Sequence, residues 1–271
     1  MEFSSVAAAF FLTLAAGLST GIGGLSILFS RKPNTSFLAL ALGFSAGVML
    51  YVSFIEIFPS ASTALSAVFE PKVSSAWTVA AFFIGMAFIM LIDFLIPEEK
   101  NPHEPKDADD FASSVSRKGL LRVGLSTALA IAVHNFPEGL ATFMSSVHDP
   151  QLGISVAFAI AVHNIPEGIA VAVPVYYATR NRKKAFFLSL LSGLAEPLGG
   201  LLGFALISLF ALHTAAASVV FGAVFAAVAG IMVYISLDEL LPTAEKYGRH
   251  HFVLAGVIGG MAVMAVSLLL F

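Results

Sequence analysis

AIAVHNFPEGLA (Ala130–Ala141) and AIAVHNIPEGIA (Ala159–Ala170) decide how this chain is read. Each copy sets a histidine, an asparagine, a proline and a glutamate inside an apolar run long enough to cross a bilayer. Ionisable side chains at the centre of a membrane helix cost roughly 2.5–3.5 kcal/mol each on insertion scales, so they are rare there and mark function when they occur. Two copies of one metal-ligand set point to a metal path through a membrane.

Outward from the motifs, the rest of the chain supplies that membrane context. Of its 271 residues 58% are hydrophobic and 11% charged, and its mean hydropathy is +0.91, which no ordinary soluble domain matches. Apolar stretches of spanning length run over 5–29, 36–57, 76–96, 121–144, 152–178, 185–211, 215–237 and 250–271. The expected fold is therefore all-α, a polytopic membrane protein of eight transmembrane helices forming one transporter domain over residues 1–271.

With the N-terminus outside, cytoplasmic loops hold 13 of the 14 Lys and Arg residues, and Lys72 alone lies in an external loop. That asymmetry places both termini outside the cytoplasm of a cell (inner) membrane. The first apolar segment follows Glu2 instead of a basic stretch and is trailed by Arg31 and Lys32, so it reads as a membrane helix and not a cleaved signal. There is no cysteine, so disulfides and thiolate ligands are excluded. The basic residues are short loop clusters with an orienting role, which leaves the lipid bilayer as a partner and no nucleic acid. The loop at about 97–119 mixes Pro, Asp, Glu and Lys with His103 and is expected to be flexible.

Internal repeats give the plan. The two motifs lie on consecutive helices that cross in opposite directions. AGVMLYVSFIEIFP (Ala46–Pro59) also aligns without gaps on AGIMVYISLDELLP (Ala229–Pro242), GGL at Gly23 echoes GGL at Gly199, and GMA at Gly85 echoes GMA at Gly260. An offset of five helices reverses orientation, so the expected arrangement is 3+2+3 with the outer triplets as inverted repeats. Secondary transporters use such repeats, with substrate sites near mid-bilayer.

Within each motif the histidine precedes the glutamate by four positions and the asparagine precedes it by three, so the three side chains share one helical face. Pro137 and Pro166 remove a backbone N–H and are expected to kink their helices. SGLAEPLGG (Ser192–Gly200) adds Glu196 at mid-helix and a third proline, Pro197, where a third kink is expected; the counterpart of Glu196 in the first helix is Thr20. Imidazole, carboxylate and amide oxygen together suit divalent ions such as Zn²⁺, Fe²⁺, Mn²⁺ or Cd²⁺. Glu56 near one end of the second helix, and Asp93, Asp238 and Glu239 near the ends of the third and seventh, are candidate entrance and exit relays that interfacial caps would explain equally well.

HNFPEG followed by HNIPEG, with SGLAEPLGG and DELLP, resembles the ZIP (Zrt/Irt-like) metal transporters, most closely their bacterial ZupT branch. The resemblance covers essentially the whole chain. It implies eight helices, metal movement into the cytosol and a two-metal central site. One metal would be held by His134, Glu138, His163 and Glu167, and the other by Asn135, Asn164 and Glu196 with the two motif glutamates bridging. Many members carry a histidine-rich loop between the third and fourth helices, whereas this chain has only His103 there.

The expected function is uptake of a divalent metal by alternating access. Zn²⁺ is the expected substrate, with Fe²⁺, Mn²⁺, Co²⁺ and Cd²⁺ as further candidates, and no cofactor is required. A channel-like conductor of the same ions is the competing reading. An intramembrane metalloenzyme is disfavoured, because asparagine stands where a metalloprotease places its general-base glutamate. The sequence leaves oligomeric state open, a homodimer included.

Overall fold

The computed structural model describes residues 3–25, 35–95, 117–210 and 214–270. His103 and nearly all of the loop expected to be flexible lie outside the described residues, although 117–119 already belong to a helix. Every regular element among the described residues is helical. In chain order they stack into α1 (Phe3–Leu25), α2 (35–66), α3 (Pro71–Leu95), α4 (Arg117–His148), α5 (Pro150–Thr179), α6 (182–210), α7 (214–247) and α8 (His250–Leu270). Seven of these are long and apolar enough to cross a membrane. The eighth, α4, has 32 residues and the length to cross, but it spends part of its sequence on Arg117, Lys118, Arg122 and the motif residues.

Both α2 and α7 outrun their expected ends, for one shared reason. Each contains a single wide π-turn, Ser53–Ile57 in α2 and Ser236–Leu240 in α7, just ahead of Pro59 and Pro242. Phe58 N–H reaches back to the Ser53 carbonyl, and Leu241 N–H to that of Ser236. A proline has no N–H to give to the carbonyl four residues earlier. Widening the turn before it shifts the hydrogen-bond register, and the helix continues with the residues flanking each π-turn still in right-handed α geometry.

Among the described residues, the one break in helix continuity falls beside the third proline. Both α4 and α5 run unbroken through Pro137 and Pro166, and the interruption comes in α6, at Leu194 between Arg182–Gly193 and Ala195–Phe210. Leu194 has ψ of −4°, so the first half ends there and Glu196 enters the first turn of a new helix. A carboxylate is favoured at that position by the helix dipole.

Helix α4 lies at the centre, with residues 137–146 all buried. Helix α5 returns along it after the single residue Asp149, whose side chain accepts from the N–H groups of Gln151 and Leu152. Along the opposite flanks, α1 packs on α5 and α6 on α4, while α2 pairs with α8 and α7 with α3. Glycines set these contacts close. A Cβ on Gly139 would strike the Glu196 carbonyl, and one on Gly168 the Thr20 carbonyl. Likewise Gly199 meets the Phe136 carbonyl and Gly23 that of Ile165. Small residues of this kind let membrane helices approach backbone to backbone. On the outside, α3 exposes Trp77, Phe83, Ile84, Phe88, Leu91 and Phe94, an apolar face suited to lipid.

Candidate metal site

The one-residue connection between α4 and α5 fixes the depth of both motifs. His134 lies 14 residues before the end of α4 at His148, and His163 lies 13 residues after the start of α5 at Pro150. At about 1.5 Å per residue both sit roughly 20 Å from the shared turn, so the histidines meet at one level. His134, Asn135, Glu138, His163, Asn164, Glu167 and Glu196 are all buried, none more than 1% exposed.

The pairs cross between helices. His163 Nε2 is 3.0 Å from Glu138 Oε1, and His134 Nε2 is 3.1 Å from Glu167 Oε2. The second contact lies off the direction that a hydrogen bond needs, because His134 Nε2 has no hydrogen-bond partner despite the short distance. Glu138, His163 and Glu167 offer ligand atoms all within 4.8 Å of one another.

Each asparagine is held by the helix opposite. Asn135 Nδ2 donates to the Ser192 carbonyl at 3.3 Å, and Asn164 Nδ2 donates to the Ala16 carbonyl at 3.0 Å and also to Glu196 Oε1. Anchoring the amide nitrogens in this way turns the amide oxygens free. Among the described residues, Asn135 Oδ1, Glu138 Oε2, Asn164 Oδ1, Glu167 Oε2 and Glu196 Oε2 are buried without a hydrogen-bond partner in the protein. Five acceptors with no donor form a set that protein chemistry avoids, since each uncompensated group costs about 1–3 kcal/mol.

The four outlying candidates divide. Glu239, only 7% exposed, lies with Oε2 at 3.7 Å from His134 Nδ1, so it stands against the central cluster and not at a surface mouth. Its repeat counterpart Glu56 accepts from Ser60 Oγ at 3.2 Å and lines an open cleft of about 220 Å³ with Asp149, Gln151 and Ser155. Asp93 accepts a hydrogen bond from Tyr234, which also faces Asp238. These two acids gather on α3 and α7 around a tyrosine.

Sequence reasoning missed Ser45. On α2, fully buried, its hydroxyl donates to Glu167 Oε1 at 2.9 Å and lies 3.3 Å from the His163 carbonyl. The available signal was its place directly before the repeated AGxM, where the second copy has Val228.

Fold and site together define a multi-pass helical membrane protein with a buried, acceptor-rich polar centre. The family profile described as ZIP zinc transporter matches residues 97–268. Zinc transporters ZupT from Chlorobaculum parvum and Streptococcus mutans are 58% and 57% identical to this chain, covering 98% and 97% of each sequence. The zinc transporter ZupT of Corynebacterium aurimucosum is 55% identical over the full length of both. The chain belongs to the ZIP family, whose members are transporters and not enzymes.

Proposed function

We propose that the protein carries zinc into the cytoplasm through the site between α4, α5 and α6. The observation that carries this reading is the set of five buried acceptor oxygens without donors, around a cluster in which Glu138, His163 and Glu167 bring ligand atoms within 4.8 Å of one another. A divalent cation is the partner such a set requires, and borderline nitrogen and oxygen ligands suit Zn²⁺ and admit Fe²⁺, Mn²⁺, Co²⁺ and Cd²⁺. The short, misdirected approach of His134 to Glu167 fits two lone pairs turned toward one ion.

Two ions are accommodated. His134, Glu138, His163 and Glu167 form one position, and Asn135, Asn164 and Glu196 the other, with the two motif glutamates between them. The names of the full-length relatives, zinc transporters at 55–58% identity, support zinc as substrate of a single-domain carrier in the cell membrane.

Alternating access follows from the repeat. The α1–α5 and α6–α4 contacts correspond when the outer triplets are exchanged together with α4 and α5, and the close glycines follow the same exchange, Gly23 with Gly199 and Gly168 with Gly139. The two π-turns are likewise 183 positions apart, from Ser53 to Ser236. Against that symmetry, Glu56 opens to a cleft while Glu239 is buried beside His134. Such asymmetry between inverted halves is what a carrier closed toward one side and open toward the other displays. With the N-terminus outside, the open side is external. A divalent ion entering a negative-inside cell gains about 4.6 kcal/mol per 100 mV, which drives uptake without nucleotide.

The test is zinc influx into proteoliposomes at fixed voltage, competed by Fe²⁺, Mn²⁺, Co²⁺ and Cd²⁺. Saturable influx competed by these ions supports the carrier. Ohmic current would replace it with a channel, and no zinc flux would remove the reading.

A further inference from the structure

Deepening the metal-site reading, on which it rests, we propose that Ser45 is a positioning residue that makes the two central glutamates chemically unequal. Its hydroxyl holds Glu167 Oε1 at 2.9 Å, while Glu167 Oε2 is turned to His134 Nε2 at 3.1 Å. One oxygen of this carboxylate is thereby committed to α2 and the other to the ion. A hydrogen bond to an ionised acceptor is among the stronger ones, so it restrains carboxylate rotation.

Glu138 has no such restraint from the equivalent place. The repeat sets Val228 opposite Ser45, and Val228 carries no donor. Glu138 Oε1 is hydrogen-bonded only to His163 Nε2, itself a ligand, and Oε2 is buried without a partner, so no group outside the ligand set holds either oxygen. Glu167 therefore binds through one oxygen and Glu138 through two. Ser45 also lies 3.3 Å from the His163 carbonyl, so it braces the stretch of α5 that carries a histidine and a glutamate of the site. It does so from α2, outside the three helices that supply the ligands. Groups that orient metal ligands from behind typically change affinity 10- to 100-fold when removed.

The test uses purified full-length protein and zinc alone, with wild type, Ser45→Ala, Ser45→Thr and Glu167→Ala measured together. Removing the hydroxyl should raise the zinc Kd and the transport KM about tenfold while kcat stays within about twofold, the pattern of lost uniform binding. Ser45→Thr, which keeps the hydroxyl, should recover most of the loss. At the zinc absorption edge, Ser45→Ala should add about one oxygen to the coordination shell, because a released Glu167 chelates with both oxygens. A purely packing role would lower the yield of folded protein and leave Kd and the zinc spectrum of the folded fraction unchanged. That result for Ser45→Ala, with Glu167→Ala no longer binding, overturns the role of Ser45 and leaves the site standing. Zinc binding by Glu167→Ala equal to wild type would remove both.

Discussion

Gly139→Ala isolates the role of helix spacing at the site. The added Cβ would collide with the backbone carbonyl of Glu196, so no side-chain rotation relieves it and α4 must part from α6. Overpacking of this kind costs about 1–3 kcal/mol. The residue pushed away is the one whose carboxylate completes the site, so the strain falls on zinc binding. At 1.4 kcal/mol per decade, about 1–3 kcal/mol weakens the site roughly fivefold to 150-fold. The measurement is zinc Kd and initial uptake at matched amounts of folded protein. Gly259→Ala is the control, because there the nearest atom to a new Cβ is Phe44 Cδ2 at 3.9 Å, an ordinary contact. Its effect should stay within about 0.5 kcal/mol. Wild-type Kd and uptake in Gly139→Ala would refute the claim that backbone contact between α4 and α6 sets the site.

Other perturbations probe the ligands and the two ends. Glu138→Ala and Glu167→Ala should each abolish uptake while the protein still inserts and folds, read as uptake against surface amount, whereas Glu196→Gln, which keeps an oxygen ligand, should be milder. Zinc affinity of purified protein should fall from pH 7.5 to pH 5.5, because the ligands bind as neutral imidazole and ionised carboxylate and protons compete with metal for both; equal affinity would argue against His134 and His163. Since the chain has no cysteine, an impermeant thiol reagent applied to intact cells should label Glu56→Cys, in its open cleft, and leave the buried Glu239→Cys unmodified. Labelling of Glu239→Cys alone would reverse the assigned topology.

Much of this was legible in the sequence because polar residues in apolar helices have few places to hide. The seven motif residues stand out against Ala, Ile and Val, and their four- and three-residue spacings fix the shared face before any coordinate is known. Depth was also readable, since both histidines fall near the middle of their apolar stretches, although the one-residue link at Asp149 replaces an expected gap of 145–151. The prolines were legible in part, since Pro197 marked the neighbourhood of the break. A missing N–H has to be absorbed, but whether by a kink, a π-turn or a break depends on what packs alongside. Here Pro137 and Pro166 sit in unbroken helices, Pro59 and Pro242 follow π-turns, and the break comes at Leu194, three residues before Pro197. Glu239 illustrates the same limit. Its place in sequence suggested a mouth, and the π-turn around it turns the carboxylate inward to His134. Ser45 was invisible because a serine in a small-residue stretch reads as packing until the group it faces is known.

The central claim is that zinc sits between α4, α5 and α6. Anomalous diffraction at the zinc edge from crystals of the zinc-loaded protein tests it most directly. Two peaks are expected, one within about 2.0–2.2 Å of imidazole nitrogens of His134 and His163 and carboxylate oxygens of Glu138 and Glu167, the other beside Asn135, Asn164 and Glu196. Zinc found only at peripheral residues such as His250 and Glu245, with the central cluster empty, would contradict it.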